Sequence, residues 1–115
     1  MKSSTHTHRW NPPEGQSGDW PGIYLLHGTG EHAARYNRLA ERLAAAGWTV
    51  GAHDHPGHGR SSGKRGLIHP AGSLVTQAAM QIQAFAKETN SVPIVFGHSL
   101  GGVIATELVL SLIHI

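Results

Sequence analysis

Apolar positions fall into short runs separated by longer amphipathic stretches. The first run, Ile23-Tyr24-Leu25-Leu26, has no alternation and stops at His27-Gly28-Thr29-Gly30. A short apolar run ended by glycines predicts a strand buried on both faces. Residues 31–46 then read as a helix. Tyr36, Leu39, Ala40 and Leu43 recur at helical spacing, opposite Arg35, Arg38, Glu41 and Arg42. Gly47 suits the C-terminal cap, because glycine tolerates positive φ. Residues 48–53 predict a second strand, 54–63 a glycine-rich loop, and 72–88 a second helix striped by Leu74, Ala78, Ile82 and Phe85. Residues 92–96 predict a third strand, which turns through 97–102 into a third helix. Residues 1–21 are polar and rich in Pro and Gly, with a weak strand candidate at 8–10. The alternation of strand and helix implies an α/β fold with a mostly parallel sheet and helices on both faces.

Composition narrows the function classes. The 115 residues carry nine Lys and Arg against seven Asp and Glu, a formal charge of +2, and only 14% are charged. No basic cluster exceeds Lys64-Arg65, so no nucleic-acid partner is expected. The absence of cysteine removes disulfide scaffolds, thiolate metal sites and cysteine nucleophiles. No apolar run reaches the length of a membrane span, and residues 1–6 do not resemble a secretory signal. These features lead to the expectation of a cytoplasmic protein without a stable membrane anchor.

Gly97-His98-Ser99-Leu100-Gly101 is a G-x-S-x-G motif. In a chain with 15 glycines the pentapeptide alone is weak, and its context carries the argument: a β-rich run before it and a helical pattern after it. A strand–turn–helix of this kind exposes the serine oxygen and aims free helix N–H groups at developing negative charge. Ser99 is therefore the candidate nucleophile and Leu100 N–H a candidate oxyanion donor, with Gly97, His98 and Gly101 shaping the elbow. His27-Gly28-Thr29-Gly30 follows the first strand, where acyl-transfer enzymes place a second donor. Thr29 N–H is that candidate, supported by His27 and Gly28.

Two rival readings use overlapping residues. Gly28-x-Gly30-x-x-Ala33 between a strand and a helix, with Asp54 about twenty residues on, fits a dinucleotide-binding module. That reading does not require a G-x-S-x-G after the third strand. His53, Asp54, His55, His58 and His69 invite a metal reading, but their spacing is not a helical ligand pair and no metal is expected. Asp54 is expected to bond loop N–H groups and Arg60. His6 and His8 are expected to be solvated.

Taken together, His27-Gly28-Thr29-Gly30-Glu31-His32 with Arg35-Tyr36, Asp54-His55-Pro56-Gly57-His58-Gly59-Arg60-Ser61, Gly63-Lys64-Arg65-Gly66 and Gly97-His98-Ser99-Leu100-Gly101-Gly102 resemble the α/β-hydrolase fold. Within it they resemble the monoacylglycerol lipase and lysophospholipase branch, of serine aminopeptidase S33 type, over about residues 20–109. The resemblance implies ester or amide hydrolysis through an acyl-enzyme, a small acyl ester or lipid substrate, and no cofactor. It implies Ser99 as nucleophile and the Thr29 and Leu100 backbones as oxyanion donors. Thr76-Gln77-Ala78 departs from the acidic residues expected there, and the opening hairpin is short.

The base and its carboxylate are harder to find. The family order is serine, acid, histidine, and downstream of Ser99 stand only Glu107 and His114. His114 is fifteen residues on, about 22 Å along a helix, whereas a base must come within about 3 Å. The pseudo-triad is rejected on that ground, and His27 and His98 are aimed elsewhere. The expectation is a partial α/β-hydrolase domain over residues 22–109, truncated after the elbow helix and nearly inert by itself. Leu110-Ser111-Leu112-Ile113-His114-Ile115 spells a sequencing-adapter reading and is expected to be a non-native tail.

Overall fold

The structure, a computed structural model, describes residues 5–18, 20–28, 32–55, 58, 61, 71–98, 101, 102, 104–106 and 108, with backbone only at 71–73. Four strands form one sheet: β1 (Thr7–Trp10), β2 (Ile23–Leu26), β3 (Val50–His53) and β4 (Ile94–Gly97). Their spatial order is β1-β3-β2-β4. β2 runs parallel to both β3 and β4, and β1 is antiparallel to β3. The mostly parallel α/β architecture expected from the sequence is present, and the weak N-terminal candidate is a real strand.

Two layers cover the sheet. On one face Ile23, Leu25, Val50 and Ala52 meet Ala33 and Ala40, with Trp10, Tyr36, Leu43 and Trp48 around them. On the other, Tyr24 and Leu26 meet Leu74, Ala78 and Phe85 of α2 (Ala71–Thr89) and Ile104 of the helical residues after β4. The alternation of β2 side chains between two buried faces explains its unbroken apolar run.

The first helix differs from its sequence expectation at both ends. Ala33–Tyr36 is a 3-10 turn, and α1 proper spans Asn37–Ala45. Neither N-cap offers a side-chain hydrogen bond to the free N–H groups, so the tighter turn opens the helix. Leu39, expected on the apolar face, is exposed, and the buried positions are Ala40 and Ala44. Gly47 has φ +106°. Gly47 N–H donates to the Ala44 carbonyl and Trp48 N–H to that of Leu43, the paired bonds of a glycine-ended helix. α2 ends the same way at Asn90, φ +53°, with Ser91 N–H donating to the Ala86 carbonyl.

β4 is a sheet edge among the described residues. Val95 packs against the α2 layer, while Ile94 and Phe96 point to the other face and are half exposed. Among the described residues no helix is long and apolar enough to cross a membrane. Residues 110–115 and Arg60 lie outside the described residues.

Candidate active site

Parallel strands deliver their C-terminal loops to one end of a sheet, where α/β proteins concentrate chemistry. β2 and β4 are neighbours in register, Leu26 opposite Gly97. The ladder continues one residue further, with His98 N–H donating to the Leu26 carbonyl at 3.2 Å. The loop after β2 and the turn after β4 therefore start side by side. Gly101 N–H then donates to the His98 carbonyl at 3.0 Å, closing the chain back on itself within four residues.

That reversal needs both glycines of the motif. A Cβ on Gly97 would stand 2.3 Å from the Gly101 carbonyl oxygen, and one on Gly101 would stand 2.1 Å from that of Leu26. Both obstacles are backbone, so neither can rotate away. Gly97 and Gly101 are thus required by close approach, and His98 is exposed at the turn. Ser99, Leu100 and Thr29, the expected nucleophile and oxyanion donors, lie outside the described residues.

The β2 loop is braced from β3. His27 is buried, and its Nδ1 donates to the Gly28 carbonyl at 2.7 Å while its Nε2 accepts His55 N–H at 2.9 Å. In return His55 Nε2 donates to the His27 carbonyl at 2.9 Å. These bonds fix the tautomer of both rings. Both nitrogens of His27 are committed to the fold, which leaves it unable to act as a base. His53, just behind, lies 2.7 Å through Nδ1 from the Tyr24 hydroxyl. Burial pushes the His53 pKa down to about 4 and the His55 pKa down to about 3, with the neighbouring His27 adding to both shifts. Burial also raises the Tyr24 phenol well above its ordinary range. Tyr24, His53 and His55 are therefore neutral at pH 7.

The surroundings of Asp54 extend one sequence expectation and correct another. Its carboxylate is buried; Oδ1 accepts Ala33 N–H at 2.8 Å and lies 3.0 Å from His8 Nε2. It therefore anchors the start of the 3-10 turn rather than only its own loop. His8 is not solvated but half-buried against this carboxylate, and the His6 backbone is held on both sides, its carbonyl by Asp54 N–H and its N–H by Ser61 Oγ. The cause is the antiparallel β1–β3 pairing, which brings the N-terminal segment alongside the end of β3 and leaves little trace in local composition. A ribose ligand would have to face solvent at the strand end, and a buried Asp54 already bonded to Ala33 and His8 speaks against the dinucleotide reading.

Comparison with known proteins agrees with this geometry. The sequence profile of the serine aminopeptidase S33 family matches residues 22–113. A monoacylglycerol lipase from Mycolicibacterium smegmatis is 43% identical over 81 residues, covering 70% of this chain and 29% of that protein. A mouse (Mus musculus) monoglyceride lipase is 39% identical over 84 residues, covering 72% of this chain and 28% of that protein. The crystal structure of Paleococcus ferrophilus monoacylglycerol lipase superposes with a TM-score of 0.73 at 36% identity, over 96% of this chain and 38% of that one. The chain thus spans under a third of the length of these curated relatives.

Proposed function

The chain belongs to the serine aminopeptidase S33 family of α/β-hydrolases, and from that premise we propose that it carries the nucleophile and oxyanion hole of an enzyme that hydrolyses carboxylic esters. The substrate class we infer is a monoacylglycerol, lysophospholipid or similar single-chain ester. Relatives bearing lipase names support that class. One observation carries the reading: the two glycines of the motif are sterically required, by the turn itself and by the Leu26 carbonyl of the neighbouring strand. A tight strand-to-helix turn of this kind, beside the loop after β2, is the setting in which a nucleophile elbow presents its serine.

In this proposal Ser99 Oγ attacks the ester carbonyl carbon, and its proton passes to a histidine base. Negative charge collects on the carbonyl oxygen, where Thr29 and Leu100 N–H groups receive it. Collapse expels the alcohol, which takes the proton from the base, and leaves the acyl group on Ser99. Water then releases the carboxylic acid by the same steps. Each oxyanion donor in such a site is worth about a hundred- to a thousandfold in turnover. Among the described histidines, His27 has both ring nitrogens committed to the fold, and the sequence puts His114 fifteen residues after Ser99, so we expect the chain by itself to show almost no turnover. Loss of triad members removes about six orders of magnitude in a related mechanism.

The test is active-site labelling. A fluorophosphonate probe applied to the full-length protein should modify Ser99, located by peptide mapping, and Ser99→Ala should abolish both labelling and ester hydrolysis. Labelling elsewhere, or full esterase turnover by the 115-residue chain, would overturn the proposal.

A further inference from the structure

We propose that His6, His8 and Asp54 form a binding site for one divalent transition-metal ion of the zinc type, separate from the hydrolytic elbow. The three residues come together through the strand register. Thr7 pairs with His53 across the antiparallel β1–β3 ladder, which sets His6 opposite Asp54. Residues i and i+2 of an extended strand share a face, so His6 and His8 project together, their ring centroids 4.7 Å apart. One ligand atom from each of the three residues lies within 4.8 Å of the others. Bonds of about 2.0–2.2 Å to zinc call for ligand atoms about 3.3 Å apart, so a small contraction of side-chain torsions completes the site.

The scaffold beneath these side chains is already fixed. Ser61 Oγ accepts His6 N–H at 2.9 Å and donates to the Asp54 carbonyl. Asp54 N–H donates to the His6 carbonyl at 2.9 Å. Asp54 Oδ1 keeps Ala33 N–H on one lone pair and lies 3.0 Å from His8 Nε2 on the other side. An ion would enter between that oxygen and His8 Nε2 once the Nε2 proton has moved to Nδ1 or to solvent. Two imidazoles and one carboxylate suit zinc, nickel or copper better than calcium or magnesium, and three protein ligands leave a position for water. His6 and His8 are both half-buried rather than sealed, which gives the ion a way in. The other histidine cluster is a poorer host, because His27 and His55 spend ring nitrogens on each other's backbone. An ion held by His6, His8 and Asp54 would clamp the N-terminal strand to Ala33, at the end of the oxyanion loop.

The site is tested by calorimetric titration of Zn²⁺ into the protein in a non-chelating buffer, alongside thermal unfolding at increasing Zn²⁺. The expected result is one saturable site per chain and a Tm that rises with Zn²⁺. His6→Ala, which leaves the His8–Asp54 pair in place, should weaken binding by about tenfold or more and move the Tm rise to correspondingly higher Zn²⁺. His8→Gln should do the same, while His32→Ala, at an exposed histidine outside the cluster, should leave both unchanged. Absence of a saturable site, binding unmoved by His6→Ala and His8→Gln, or binding lost in His32→Ala would each overturn the proposal.

Discussion

The carbonyl oxygen of Leu26 lies so close to Gly101 that a Cβ there would stand 2.1 Å away. This approach ties the end of β2 to the first helical residues after β4, and hence the loop after β2 to the G-x-S-x-G turn. It makes a single hydrogen atom on Gly101 a condition for the two loops to meet.

Gly101→Ala should therefore cost about 3 kcal/mol or more of stability, since the clash is with backbone in a packed site. Gly102→Ala is the matched control. A Cβ there has no neighbour nearer than 3.6 Å, and alanine favours the helix, so stability should hold or rise by about 0.5–1 kcal/mol. Urea unfolding of the two variants measures the difference. Equal behaviour would mean that the turn relaxes freely and the close approach does not shape it.

Much of this fold was legible in the sequence because its signals are local. The G-x-S-x-G glycines, the Gly47 cap and the Leu74, Ala78, Ile82, Phe85 stripe each obey a rule that spans only a few residues. The misread positions depend on partners far along the chain. Leu39 has the right periodicity but ends exposed, because the sheet meets the helix at Ala40 and Ala44. His8 and Asp54 are 46 residues apart, and only the antiparallel return of β1 onto β3 joins them. A polar N-terminal segment gives no hint of that pairing in a chain read for parallel units.

That pairing predicts a large asymmetry between its members. Asp54→Ala removes the acceptor of a buried backbone N–H, that of Ala33, together with the contact to His8. An unsatisfied buried donor plus a lost charge-assisted bond should cost about 3 kcal/mol or more. Asp54→Asn keeps an oxygen for Ala33 and should lose about half as much. His8→Gln should cost less still, about 1 kcal/mol. Thermal unfolding in metal-free buffer ranks the three, and a His8 loss as large as that of Asp54→Ala would refute this ordering.

The β4 edge predicts a solubility effect. Val92 is 87% exposed, and Ile94 and Phe96 are half exposed on a strand with one unpaired side among the described residues. An apolar edge of this kind templates pairing between copies. Phe96→Lys and Ile94→Lys should lower the light scattering of the 115-residue chain and raise its soluble fraction. Val95→Lys, on the side packed against α2, should unfold it instead. If lysine at 94 and 96 leaves aggregation unchanged, association runs through another surface.

The buried histidines give the chain a signed dependence on pH. His53 titrates near pH 4 and His55 near pH 3 in the fold, driven first by burial and then by neighbouring histidines. In the unfolded chain both titrate near 6.5. Above about pH 7 neither state carries the protons, and stability is flat. Between about pH 6.5 and 4 the unfolded chain binds protons that the native state refuses, so stability falls on acidification. The limiting slope is about 1.4 kcal/mol per pH unit for each histidine, or about 2.7 for the two. Carboxylates remain mostly ionised above pH 5, so urea unfolding between pH 7.5 and 5 isolates the histidine contribution. Replacing His55 by Gln, which can still donate to the His27 carbonyl, should cut the slope by about half, even where it lowers stability at pH 7.5. A wild-type slope near zero across this window would show that the fold admits the protons, and that the His27–His55 lock opens at no cost.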